Sequence, residues 1–195
     1  MKNQPLEQTW SARVNGQLKE LSVSPETRLV DILRNRLELT GTKVSCEVGR
    51  CGACMILMNG EPVNACLVMA YQSEGSDITT IEGLHGEKEG ELHPIQQAFV
   101  EEGGFQCGYC TPGMIISTKA LLDACPHPSL EQIETGLCGN LCRCTGYGGI
   151  IRAVNKASER CAVKGTVGTV VKENVNRSAV NFVKQMVLKP DDPKR

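Results

Sequence analysis

The chemistry of this chain lies in its cysteines, eleven among 195 residues. An odd number cannot pair fully into disulfides within one chain. The opening MKNQPLEQTW is polar and lacks the apolar stretch of a secretory signal. The expected compartment is therefore the reducing cytoplasm, where clustered thiols point to metal rather than to disulfides. The cysteines form two groups. In the first, Cys46, Cys51 and Cys54 stand as C-x4-C-x2-C, with Cys66 eleven residues further on. That front half is the plant-type [2Fe–2S] spacing. A binuclear cluster takes four thiolates, three of them from one tight loop whose backbone N–H groups face the sulfides. The loop therefore needs small residues, and Gly49, Gly52 and Ala53 supply them. Four thiolates also suit structural zinc, but zinc knuckles usually present paired C-x2-C hooks, which this spacing is not.

In the second group Cys107-x2-Cys110 is followed, after 31 residues, by Cys142-x-Cys144. Cys107 and Cys110 precede a helix expected from Pro112, whose free N–H groups and dipole would stabilise thiolate charge. A lone C-x2-C at a helix start also fits a thioredoxin-like redox pair. That reading leaves the CRC motif unexplained, and no βαβ pattern surrounds it.

Two units must position these groups. In the first, residues 10–14 and 18–23 alternate around Asn15-Gly16, a hairpin signal. Ser24-Pro25 then predicts the start of a helix of about four turns carrying Leu29, Leu33 and Leu37 and closed by Gly41. Residues 55–58 and 63–69 read as strands around Asn59-Gly60, which would place Cys66 on a strand, and 78–81 reads as a last strand. Together these predict an α+β domain of β-grasp type over residues 1–84. The polar segment 85–91 reads as a linker. Residues 92–164 read as an all-α four-helix domain. Its helices open at Pro94, at Thr111-Pro112, at a Ser129/Gln132 capping box and after Gly148-Gly149. A tail with modest apolar content (Phe182, Val183, Val187, Leu188) covers 165–195, and two readings stay open for it: draped over a partner subunit, which its apolar content favours, or disordered.

Composition removes several function classes. A net charge of -1 gives no basic footprint for nucleic acid. No apolar run reaches the roughly 18–20 residues of a membrane span. A hydrophobic content of 41% supports a packed core. His85, His93 and His127 lie in no nucleophile motif and read as caps or surface residues, and GTVGTV is not a dinucleotide fingerprint.

The segments SCEVGRCGAC, QCGYCTPGMI and GNLCRCTGY, in this order, resemble the small iron–sulfur subunit of molybdenum hydroxylases. This is the family of xanthine dehydrogenase, aldehyde oxidoreductase and carbon monoxide dehydrogenase. The likeness runs from about residue 10 to about residue 162. It implies two [2Fe–2S] clusters, one held by Cys46, Cys51, Cys54 and Cys66 and the other by Cys107, Cys110, Cys142 and Cys144. It further implies a hetero-oligomer with a molybdopterin-binding large subunit and an FAD-binding medium subunit. Electrons would pass from the first of these, through the helical domain and then the plant-type domain, to the second. In this family Gln106 and Cys144 would contact the pterin, and this chain alone would perform no bond chemistry. The texture of TGTKVSCEVGRCGAC and NACLVMAYQ is similar to bacterial purine-oxidising xanthine dehydrogenases, while nicotinate, aldehyde and carbon monoxide enzymes use comparable subunits. A free two-cluster ferredoxin is the alternative, although a diffusing carrier would often be strongly acidic.

Three features depart from the family pattern. Met55 replaces a common threonine, removing a hydroxyl that would tune the adjacent cluster. Cys138, four residues before Cys142, is expected as a buried, inert thiol like Cys125 and Cys161. The tail exceeds that of shorter relatives. Arg50 and Arg143 lie inside the cysteine loops, where they either balance charge or face solvent or a partner.

Overall fold

The computed structural model describes residues 7–86 and 90–164. Strands β1 (Gln8–Val14) and β2 (Gln17–Val23) pair antiparallel, with Trp10 opposite Leu21. Their turn holds Asn15 and Gly16 at φ 51° and 80°, the double left-handed geometry that Asn-Gly favours. A helix α1 (Leu29–Asp31) runs on into a π-helical turn over Ile32–Arg36. It is followed by β3 (Met55–Met58), β4 (Glu61–Asn64), α2 (Ala70–Ser73) and β5 (Asp77–Thr79). The sheet order is β2-β1-β5-β3-β4, with β1 and β5 parallel and the other pairs antiparallel. Trp10, Leu29, Ile32, Leu33, Ile56 and Ile78 are fully buried between sheet and helix. This mixed sheet wrapped on one helical segment, followed by helices, is the expected α+β architecture.

Three local expectations are corrected. The helix does not start at Pro25. Thr27 N–H donates to Ser24 C=O at 2.9 Å, closing a turn, and Leu29 N–H is engaged by Val68 C=O at 2.7 Å. It also ends early, because Glu38 takes φ 58°. The strand expected over 63–69 stops at Asn64. Leu67 N–H folds back to Asn64 C=O at 2.9 Å, and Ala65 C=O accepts from Val30 N–H at 3.1 Å. Hydrogen bonds to the start of α1 thus take over from the sheet ladder, and Cys66 lies in the turn after β4 rather than on a strand. The apolar run at 65–69 signalled burial, which strand periodicity cannot distinguish from a wrapped turn.

The second unit consists of α3 (Pro94–Glu101), α4 (Thr111–Ala124), α5 (Leu130–Leu137) and α6 (Gly148–Lys164). Ile95, Phe99, Met114, Leu122, Ile133, Ile150 and Val154 form its core. The capping box is present: Ser129 Oγ accepts from Gln132 N–H at 3.3 Å, and Gln132 Oε1 accepts from Ser129 N–H at 2.7 Å. Of the linker, residues 87–89 lie outside the described residues, and Gly86 N–H donates to Glu91 C=O at 2.7 Å across them. The tail expected over 165–195 lies wholly outside.

His93 is the N-cap of α3, and the cap requires a neutral ring. Its Nδ1 accepts from Ile95 N–H at 3.2 Å, while Gln96 Oε1 accepts from His93 N–H at 2.9 Å. Burial, followed by the charges of Lys119 and His85, pushes its pKa down from 6.5 to about 4. Between those values the unfolded chain binds more protons than the folded one. The stability this provides is complete above 6.5 and is lost as pH falls toward 4, by up to about 3 kcal/mol. Urea midpoints of the full chain should therefore drop between about pH 7 and pH 5.5. His93→Asn, which keeps a capping acceptor without the titration, should flatten that dependence.

Candidate metal centres

The loop from Cys46 to Cys54 turns at its small residues, Gly49 and Gly52, at φ 70° and 69°. Glu47 holds φ 57°, and Arg28 pairs with both Glu47 and Asp31, tying the loop to α1. Arg50 N–H donates to Cys46 Sγ at 3.2 Å. The N–H groups of Val48 and Arg50 lower the Cys46 pKa to about 6. Cys54 is the opposite case: burial, and then the neighbouring Cys66 thiol, push it up to about 12. Its Sγ contacts Asn64 Oδ1 at 3.6 Å, and Asn64 Nδ2 donates back to Gly49 C=O at 3.2 Å. Asn64, the last residue of β4, thus binds the cysteine loop to the sheet.

The second group assembles from two ends of the helical unit. Cys110 caps α4, and Cys142 and Cys144 lie between α5 and α6. Cys144 Sγ is 3.6 Å from Cys107 Sγ, and Cys142 is close enough to Cys110 to shift its thiol. Burial, then Cys142, pushes Cys110 up to about 12. Burial alone would raise Cys142 too, but the Thr145 hydroxyl, 3.1 Å from its Sγ, and nearby N–H groups outweigh that and lower it. Cys107, Cys144 and Gln106 are all exposed, along one edge of the group.

In each group the thiols are close enough to act on one another: Cys66 and Cys51 act on Cys54, Cys142 and Cys107 act on Cys110, and Cys144 Sγ lies 3.6 Å from Cys107 Sγ. Among the described residues, no three His, Cys, Asp or Glu side chains close on one ion. A sulfide-bridged pair of irons takes four thiolates spread over two metals, so four neighbouring thiols that do not close on a single ion fit it.

The two loops touch. Leu141 N–H donates to Cys51 C=O at 2.9 Å, and the buried Asn140 places Nδ2 3.4 Å from Gly52 C=O. Tyr109 Oη donates to Val44 C=O. Gly52, at φ 69°, has no room for a side chain, since a Cβ would lie 2.5 Å from Gly139 C=O.

Residues 12–80 match the family described as a 2Fe-2S iron-sulfur cluster binding domain, and residues 80–155 match a [2Fe-2S] binding domain. A probable xanthine dehydrogenase component from Bacillus subtilis (strain 168) is 63% identical, over 72% of this chain and 79% of its own length. The nicotinate dehydrogenase small FeS subunit of Eubacterium barkeri is 47% identical, over 79% of this chain and 97% of its own. The chain belongs to the iron–sulfur subunits of the molybdenum hydroxylases. The likeness extends to structure. A chain of quinoline 2-oxidoreductase from Pseudomonas putida 86 superimposes with a TM-score of 0.76 at 42% identity, over 82% of this chain and 98% of that one.

Within this iron–sulfur subunit, Cys138 departs from expectation: it is exposed, while Cys125 is half-buried and Cys161 buried. It follows the last turn of α5, outside the core stripe of Ile133 and Leu137. Arg50 and Arg143 are exposed, and of the two readings of His93, cap or surface residue, the cap holds. Sequence reasoning assigned no role to Asn64, Asn140, Thr145 or Tyr147, the polar groups that hold the loops. The last three lie inside or beside the CRC motif, and that proximity was the available signal.

Proposed function

We propose that this chain carries electrons between a molybdopterin-binding large subunit and an FAD-binding medium subunit in a cytoplasmic complex. Each [2Fe–2S] cluster would supply a one-electron carrier. Cys46, Cys51, Cys54 and Cys66 would hold one, and Cys107, Cys110, Cys142 and Cys144 the other. The proposed division is a plant-type unit over 1–84, a linker over 85–91, a helical unit over 92–164 and a tail from 165; two separate cores support two units, with Leu84 packing into the second. The observation that carries this reading is the contact of two four-cysteine loops, made by Leu141 N–H on Cys51 C=O. The exposed edge at Gln106, Cys107 and Cys144 gives the helical unit a face for the pterin, with Gln106 and Cys144 as its contacts. The plant-type unit then faces the flavin.

Purine oxidation, with xanthine or hypoxanthine as substrate, is the favoured chemistry, supported by the 63% identity to a protein named for xanthine dehydrogenase. The nicotinate-enzyme relative favours a second reading, the same role in oxidising an N-heteroaromatic acid. Purification of the native complex and assay against purines, nicotinate and aldehydes separates them. Four irons and four sulfides per chain and two distinct EPR signals on reduction are expected. Purification as a lone chain would favour a free ferredoxin, and zinc in place of iron would remove the reading.

A further inference from the structure

Tyr147 is the residue whose conformation and contacts the electron-carrying role leaves unexplained. It holds φ 65°, a left-handed backbone that a bulky side chain rarely adopts. Its ring packs against the helical core. Its hydroxyl donates to Asn140 C=O at 3.1 Å and accepts from Cys142 N–H at 2.8 Å. One side chain thus spans both peptide units that flank Leu141.

The geometry of one of those peptides gives this contact its reach. In a planar trans peptide the C=O and the following N–H point in opposite directions. The Asn140 carbonyl points at Tyr147, so the Leu141 N–H of the same peptide points the other way, onto Cys51 C=O at 2.9 Å. The result is a hydrogen-bond chain: Tyr147 O–H to Asn140 C=O, and Leu141 N–H to Cys51 C=O. Donation at one end of such a chain polarises the next donor. It begins in the helical unit and ends on the backbone of a cysteine that belongs to the other unit. Asn140, buried with Nδ2 on Gly52 C=O, keeps the same peptide from swinging away.

We propose that the Tyr147 hydroxyl is a positioning group for electron exchange between the two sites: it fixes and polarises the Asn140–Leu141 peptide, whose N–H in turn polarises the Cys51–Gly52 peptide and makes the Gly52 N–H beside that cysteine a stronger donor. The inference rests on the two-cluster reading above. A cluster gains one negative charge on reduction, and donors near its thiolates favour that state. The hydroxyl therefore raises the potential of the site in the plant-type unit, although Tyr147 touches none of that site's ligands.

The test is Tyr147→Phe in the full, cluster-loaded chain, followed by EPR-monitored redox titration. Phenylalanine keeps the ring and its packing and deletes only the hydroxyl. The ratio of reduced to oxidised plant-type cluster, read at the wild-type midpoint, should fall at least two-fold. A merely structural role, filled equally by phenylalanine, would leave that ratio in place, so an unchanged ratio in a fully loaded variant overturns the proposal. Wild-type protein without two distinguishable signals would instead remove the two-cluster reading. Should Tyr147→Phe lose iron, 3-fluorotyrosine incorporated into a Tyr71→Phe/Tyr109→Phe chain labels Tyr147 alone. Its more acidic hydroxyl donates more strongly, so the ratio should rise relative to the same chain with ordinary tyrosine. No rise overturns the proposal.

Discussion

Alanine at Gly113 should destabilise the full chain by about 2 kcal/mol, although it makes α4 a better helix. Replacing a helical glycine by alanine is worth about 1 kcal/mol in propensity. Here the new Cβ would lie 2.1 Å from Gly52 C=O and 3.1 Å from its carbonyl carbon. Those atoms are backbone and cannot rotate away, so the units must part by more than an ångström. Overpacking of this kind typically costs about 1–3 kcal/mol, and a backbone clash falls at or above the upper end. The parting also pulls on Leu141 N–H to Cys51 C=O and on Asn140 Nδ2 to Gly52 C=O. Urea unfolding of the loaded chain checks the sign. A stabilised Gly113→Ala would mean that the loops separate freely and that helix propensity decides.

The second large effect is loss of one cluster without the other. Cys54 is 3% exposed, and burial holds its free thiol protonated, at a pKa of about 12. On the proposed ligand set, loading must expel that proton and the cluster would replace it with metal bonds. Cys54→Ala should halve the iron and sulfide content and erase the plant-type EPR signal. The second signal should persist, because its four thiols rise from a separate core. The apparent melting temperature should fall, since a ligand that binds only the folded state no longer contributes. Cys138→Ala is the matched control: Cys138 is exposed and follows α5 as its C-cap residue through its backbone, and both signals should remain. Loss of a signal in Cys138→Ala would reassign the ligands.

The features legible in the sequence were those set by local chemistry. Asn15-Gly16 and Asn59-Gly60 adopt left-handed turns because few other pairs can, and both hairpins form where expected. Cysteine spacing foretold which thiols share a loop, and the Ser129/Gln132 box fixed the start of α5. The features that were not legible depend on contacts distant in sequence. Ala65 and Val68 leave the strand because α1 needs acceptors for its first N–H groups. Glu38 ends the helix without any glycine signal. Cys138 is exposed because the register of α5 is set by its partners. The contact between loops pairs residues about ninety positions apart, and no periodicity encodes it.

That contact also bears on assembly. Gly52 and Gly113 bring the two loops together within a single polypeptide, so the joint is built from this chain's own backbone. On the proposed function, each partner subunit would need to align only with the nearer loop. The spacing between the loops is set once, when this chain folds, and dissociation of the complex leaves it unchanged.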